Sequence, residues 1–297
     1  MPSTTGASGK VSMECYGEYL TFTVDFQSAE ANAPELLVAN EGSVSVFDFH
    51  FKSERTWTTA FKPEKSGCYT FRITHPGIDP YTETVHAALR GDPEQTVNAG
   101  DVRLCIKSNS PYGTLFVKII DVGSSSTSSL RQLENAWHIW PDATPVDTQA
   151  ELTLPLPAVE TGNNKARIYK RSGSDWTYVG GKRQDNRLTA AIRSFGVYAV
   201  LEDVQPPSIK EISPPEAYYA QTKRPIIRAI ISDVGCGIND YTLRANGQWL
   251  LASYDPDTNQ LAWERDEDLP SGKQILEFQA TDNVGNTATT TRIVHIP

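Results

Sequence analysis

The chain is poor in the residues from which catalytic and metal centres are usually assembled. Its 297 residues hold five histidines, four cysteines and two methionines. No CxxC pair occurs among Cys15, Cys68, Cys105 and Cys236, which excludes the common zinc spacings. A GxSxG elbow, a P-loop, an HExxH helix and a GxGxxG turn are all absent, so the usual hydrolase, nucleotide and dinucleotide chemistries have no anchor. No stretch approaches the roughly 20 apolar residues of a membrane span. The opening MPSTTGASGK has no apolar signal core. An exported form is therefore expected to be a mature chain or a segment of a longer one. Basic residues are in deficit: 27 Lys+Arg against 36 Asp+Glu leave a net charge of -9. Nucleic acid, which needs clustered basic groups to displace counterions, is not an expected partner.

What the chain does have is alternation. Hydrophobic residues make up 39% and charged residues 21%, enough apolar surface to bury cores. Leu20, Phe22, Val24 and Phe26 alternate with polar residues, as a half-buried strand requires. SVSVFDFHF (43–51) repeats the pattern and predicts Phe47, Phe49 and Phe51 on one face. GCYTFRI, DVRLCIK and GTLFVKII follow, separated by turn residues. TETVHAAL (82–89) fits either a short helix or a strand. These segments predict a β-sandwich over 10–122. The Ser-rich GSSSTSS (123–129) then reads as a flexible linker.

A second, small antiparallel β domain is expected over 130–204, from LTLPL, ARIYK, WTYVGG, RLTAAI and SFGVYAVLED. Gln205-Pro206-Pro207 marks a semi-rigid joint, because paired prolines donate no ladder hydrogen bonds. An immunoglobulin-like sandwich is expected over 206–297, with Asn246-Gly247 as a hairpin turn and Leu276, Phe278 and Ala280 facing inward. The fold class is thus all-β, with tandem β-sandwich domains.

Four candidate sites follow from residue type and spacing. His75 and Asp79 have the HxxxD spacing of two zinc ligands, but no HxH supplies a third, so the pair is rejected as a metal site. His50 and His138 stand alone in strand-like runs and read as structural. In DVGCGIND and DNVGN, the oxygens of Asp233, Asp240, Asp282 and Asn286 form a candidate Ca²⁺ pole. The same residue types close turns on their own backbone, which is the competing reading. Tyr218-Tyr219 is the candidate exposed, ligand-facing aromatic pair, whereas the six tryptophans are dispersed and read mostly as packing. Cys68, mid-strand, is expected to point into a sandwich face. The cysteines of the first third fit one bridge or free thiols equally.

SFGVYAVLEDVQPPSI, DVGCGIND, YDPDTNQL and LPSGKQILEFQATDNVGN resemble the C-terminal modules of secreted bacterial cell-envelope proteins. In particular they look like the β-rich tail behind the catalytic domain of lysostaphin-like zinc metallopeptidases, which act on peptidoglycan. GDVRLCIKSNSPYGTLFVKI, ENAWHIWPD and RIYKRSGSDWTYVGG fit the same tail, so the likeness spans about 100–297. The peptidase signature, HxxxD followed by HxH, is absent as a set, and the activity does not carry over. Cys236 stands where such modules have a small polar residue, leaving a candidate reactive thiol in a loop. The resemblance implies a non-catalytic, extracytoplasmic segment that spaces or docks a covalently or non-covalently associated catalytic domain, or another cell-envelope component. A carbohydrate- or peptidoglycan-binding module is the alternative. No catalytic residue and no cofactor other than Ca²⁺ is expected.

Overall fold

Alternating burial runs through almost every segment of the computed structural model, which describes residues 9–124, 130–157, 164–265 and 267–297. All regular elements among these residues are strands, 28 in number. TETVHAAL belongs to one of them: Val85, Ala87 and Ala88 are buried while Thr82 and Thr84 are exposed. The chain packs into two compact units, each made of three separate stretches.

Unit 1 comprises residues up to 124, 135–156 and 181–199. One sheet orders β1 (Gly9–Tyr16), β2 (Tyr19–Phe26), β6 (Thr56–Phe61) and β5 (His50–Ser53). A second runs from β4 (Ser43–Asp48) through β3 (Glu35–Asn40), β7 (Gly67–Thr74), β8 (Tyr81–Leu89), β11 (Thr114–Gly123) and β13 (Ala136–Trp140) to the first half of β19 (Gly196–Asp203). A third orders β17 (Lys182–Gln184), β18 (Arg187–Ser194), β14 (Pro145–Pro155), β10 (Val102–Ile106) and β9 (Gln95–Ala99). The pairing Arg103↔Thr153 joins β14 to β10 and so gathers residues 135–156 into unit 1. Register over 50 residues of separation leaves no local trace in sequence.

The core of the N-terminal sandwich gathers Leu20, Phe22, Val24, Leu36, Phe71, Ile73 and Val85. Phe22 and Phe71 meet at 4.9 Å between ring centroids, a tilted contact that adds to the area they bury. SVSVFDFHF is not one strand. It breaks at Phe49, which is buried, and passes from the β3–β4 pairing to the β5–β6 pairing. The break resets the alternation, so Phe51 is 60% exposed instead of sharing a face with Phe49. Cys68 likewise points outward, because Tyr69 and Phe71 take the inward positions of β7. Cys15, Cys68, Cys105 and Cys236 are all free.

Unit 2 comprises 125–134, 157–180 and residues from 200 onward. β15 (Ala166–Ser172) and β16 (Asp175–Gly180) form a hairpin, and the sheet order β16-β15-β19 sets β15 beside β19. β12 (Leu130–Gln132) pairs with the end of β19, Leu130 opposite Asp203. Residues 125–129 of the expected linker lie outside the described residues. After Pro206-Pro207 come two facing sheets. The first orders β20 (Ser208–Ser213), β22 (Arg228–Ser232), β26 (Gln260–Trp263) and β25 (Ala252–Asp255). The second orders β21 (Tyr218–Tyr219), β28 (Thr287–Ile296), β27 (Gly272–Asp282), β23 (Ile238–Ala245) and β24 (Gln248–Trp249). Asn246 and Gly247, with φ of 48° and 82°, turn β23 into β24 as a primed hairpin demands. Leu276, Phe278 and Ala280 are fully buried with Leu243, Leu261 and Val294.

Two stability outcomes follow for unit 1. Phe71→Ala is expected to cost about 3–5 kcal/mol, while Phe51→Ala stays within about 1 kcal/mol, both read from urea denaturation. Burial holds the His86 imidazole below its ordinary pKa, partly offset by its hydrogen bond to Gln95. A depressed folded-state pKa means that stability is intact above the unfolded value of about 6.5 and is lost as pH falls below it. His86→Gln is expected to flatten the dependence of unit 1 stability on pH between about 7 and 5, as measured by denaturation at stepped pH.

Candidate functional site

Three chain segments of unit 2 end at one place. β19 terminates at Asp203, β22 leads into Asp233-Val234-Gly235-Cys236-Gly237, and β27 ends at Asp282 before the turn to Asn286. Each carboxylate first organises its own loop. Asp233 Oδ2 accepts the N–H groups of Gly235 and Gly237 at 2.9 and 2.7 Å. Asp282 Oδ1 accepts those of Val284 and Asn286 at 2.9 and 2.8 Å. These are the local turns that Asp favours, and Gly237 and Gly285 supply the positive φ that lets the chain leave them.

The loops are then tied together. Asp203 Oδ1 accepts the Gln205 N–H, and its Oδ2 accepts the Cys236 N–H, both at 3.0 Å. The Asn286 amide donates to Asp282 Oδ2 at 2.7 Å and to the Asp203 carbonyl at 3.0 Å. Asn283 donates to the Cys236 carbonyl at 2.8 Å. Gly235 has to be glycine for want of space: a Cβ there would lie 1.8 Å from Asp203 Oδ2.

The result is a dense group of acids. One oxygen from each of Asp203, Asp233 and Asp282 and the Cys236 sulfur all lie within 4.8 Å of one another. Asp203 and Asp282 are 1% exposed and Cys236 is 3% exposed. Burial raises the Asp233 carboxyl, and the charges of Asp203 and Asp282 raise it further against the pull of the two glycine amides. Burial also drives the Cys236 thiol up, followed by Asp282, Asp203 and Asp233. Tyr169, on β15, is fully buried, and its hydroxyl has no hydrogen-bond partner. Its phenol is raised by burial first, then by Cys236, Asp203, Tyr178 and Asp233, which places it within electrostatic reach of the group.

Of the expected Ca²⁺ pole, Asp233, Asp282 and Asn286 come together. Asp240 does not: it is exposed on β23, and its Oδ1 accepts the Tyr241 N–H. Asn286 presents its amide N–H to the acids and so acts as a hydrogen-bond donor. Asp203, Cys236 and Tyr169 join the group without having been singled out as its members. Cys236 is no exposed reactive thiol, since burial and three carboxylates keep it protonated. Tyr218 and Tyr219 are 38% and 68% exposed, and Tyr219 stacks on His295 at 4.4 Å. Trp249 is 55% exposed, the exception to the expected packing of tryptophans. His75 turns inward, with Nδ1 accepting the Gly77 N–H at 2.9 Å, while Asp79 is exposed.

Residues 87–203 match the model of the Zu5-like domain, less than half of the chain, and the match ends on Asp203. No curated protein matches. Among solved structures, a 1.5-MDa bacterial ice-binding adhesin is similar at 10% identity, covering 99% of this chain and 99% of that one, with a TM-score of 0.19. Sidekick-1 immunoglobulin domains 1–4 are similar at 12% identity over 98% of this chain and 99% of that one, TM-score 0.24. An M60 catalytic domain with two CBM51 domains from Clostridium perfringens is similar at 10% identity, TM-score 0.18; 99% of this chain aligns with 40% of that one.

The close approach at Gly235 gives a direct test. Gly235→Ala is expected to destabilise unit 2 by more than about 2 kcal/mol, because the new methyl displaces the Asp203 carboxylate from its two amides. Urea denaturation checks it.

Proposed function

We propose that the chain is a non-catalytic, extracytoplasmic β-sandwich segment that spaces or docks a partner domain of peptidase type at the bacterial cell envelope. One observation carries this reading: the polar side chains best suited to chemistry are used to hold a joint. Asp203, the last residue of the Zu5-like match, is bound through both carboxylate oxygens and its carbonyl to Gln205, Cys236 and Asn286. Within unit 2 the segment around Pro206-Pro207 is thereby fastened to the loops at Asp233–Gly237 and Asp282–Asn286. A spacer needs such a fastening, because an unsecured joint would dissipate orientation along the chain. The resemblance of residues 100–297 to envelope-peptidase tails supports the same reading.

A second reading, a carbohydrate- or peptidoglycan-binding module, is favoured by the exposed aromatics. Tyr219 with its stacked His295, and Trp249, offer ring faces of the kind that sugars cover. A pull-down of the purified chain on peptidoglycan and on common polysaccharides separates the two. The spacer reading expects no retention at physiological salt and no hydrolysis of wall substrates. Retention that is lost in Tyr219→Ala or Trp249→Ala would establish the binding module instead. Hydrolysis abolished by chelation would overturn the non-catalytic assignment.

A further inference from the structure

The acid cluster of unit 2 is costly as a purely structural device. Three carboxylates and a thiol converge within 4.8 Å, and Asp203, Asp282 and Cys236 are almost wholly out of water. Like charges gathered out of water oppose one another unless protons or a cation compensate them. The backbone amides of Gln205, Gly235, Cys236, Gly237, Val284 and Asn286 supply partial positive charge only. A second observation is independent of the acids. The Tyr169 hydroxyl is fully buried within electrostatic reach of them with nothing to bond to, and an orphaned buried hydroxyl in a folded core calls for a missing partner.

We propose that Asp203, Asp233, Asp282 and Cys236 form a binding site for a thiophilic divalent cation of the zinc type, with Tyr169 donating a hydrogen bond to the ligand shell. Donor chemistry decides between metals. Four donors, one of them sulfur, match zinc's tetrahedral demand, whereas calcium takes six to eight oxygens and no sulfur. Oxygen capacity here is already reduced: both oxygens of Asp203 accept a backbone N–H, and Asp282 Oδ1 accepts two. On binding, the Cys236 thiol loses its proton to solvent as the sulfur–metal bond forms. Asp233 is the least buried of the four. Tyr169 then finds an acceptor in a ligand oxygen, as outer-shell donors of metal sites do.

This inference uses residues of the same joint but does not require the spacing role, and metal binding and wall retention are read separately. The test uses the full chain with its thiols reduced, stripped by a chelator and dialysed. Calorimetric titration with Zn²⁺ is expected to give one equivalent bound and a raised melting temperature. Titration with Co²⁺ is expected to give a sulfur-to-metal charge-transfer band. Cys236→Ser removes that band, and both Cys236→Ser and Asp233→Asn weaken zinc at least 10-fold. Tyr169→Phe, which keeps the ring packing, weakens zinc by about 10-fold or more while leaving the metal-free melting temperature near that of the parent. If Asp233→Asn fails to fold, the Cys236 and Tyr169 variants decide alone. Absence of stoichiometric Zn²⁺ or Co²⁺ binding overturns the proposal. So does zinc binding indifferent to these substitutions, or a calcium-specific response that survives Cys236→Ser.

Discussion

A helix pairs its own amides; the described residues form strands alone, so every buried N–H and C=O must find a partner on another strand or in a side chain. That requirement shapes everything described above. It draws β14 back across 50 residues to β10, and it fills the strand-free loops of unit 2 with Asp and Asn whose side chains stand in for missing strands. The acid cluster is placed by the same demand: each of its carboxylates is held by the amides that it caps, and the three caps share one vertex.

Alternation made the strands readable, since period-two burial acts on each segment alone. The inward set Leu276, Phe278 and Ala280 and the Asn246-Gly247 turn were legible for that reason. Phe51 was not, because alternation carries no mark of where a strand changes sheets. The same limit hid the association of 135–156 with unit 1. Sequence alternation says which face is buried and is silent on which strand lies alongside.

The site was half legible on similar grounds. Asp233, Asp282 and Asn286 lie in Gly- and Asn-rich loops that advertise turns. Asp203 lies at the end of an ordinary apolar strand, SFGVYAVLED, where an acid reads as a surface terminus. Tyr169 sits in the alternating run ARIYK and reads as core, which it also is. A cue was present in Asp203 preceding the Pro206-Pro207 joint by a few residues, but only the fold brings β19 and β15 to the loops. Chemistry assembled from distant strands is invisible to spacing rules, which register ligands that share one loop or helix.

Neither unit is a continuous length of chain, and β19 contributes residues to both. This has a consequence for the order in which the protein is made. Unit 1 cannot close until residue 199 has been synthesised, long after its first strand. Until then its second sheet lacks β19 and its third lacks β18, and each keeps an open edge. Once β19 arrives, the residues that finish unit 1 are followed at once by those that begin the last sandwich. Completion of one body and initiation of the next are thus consecutive events on a single strand.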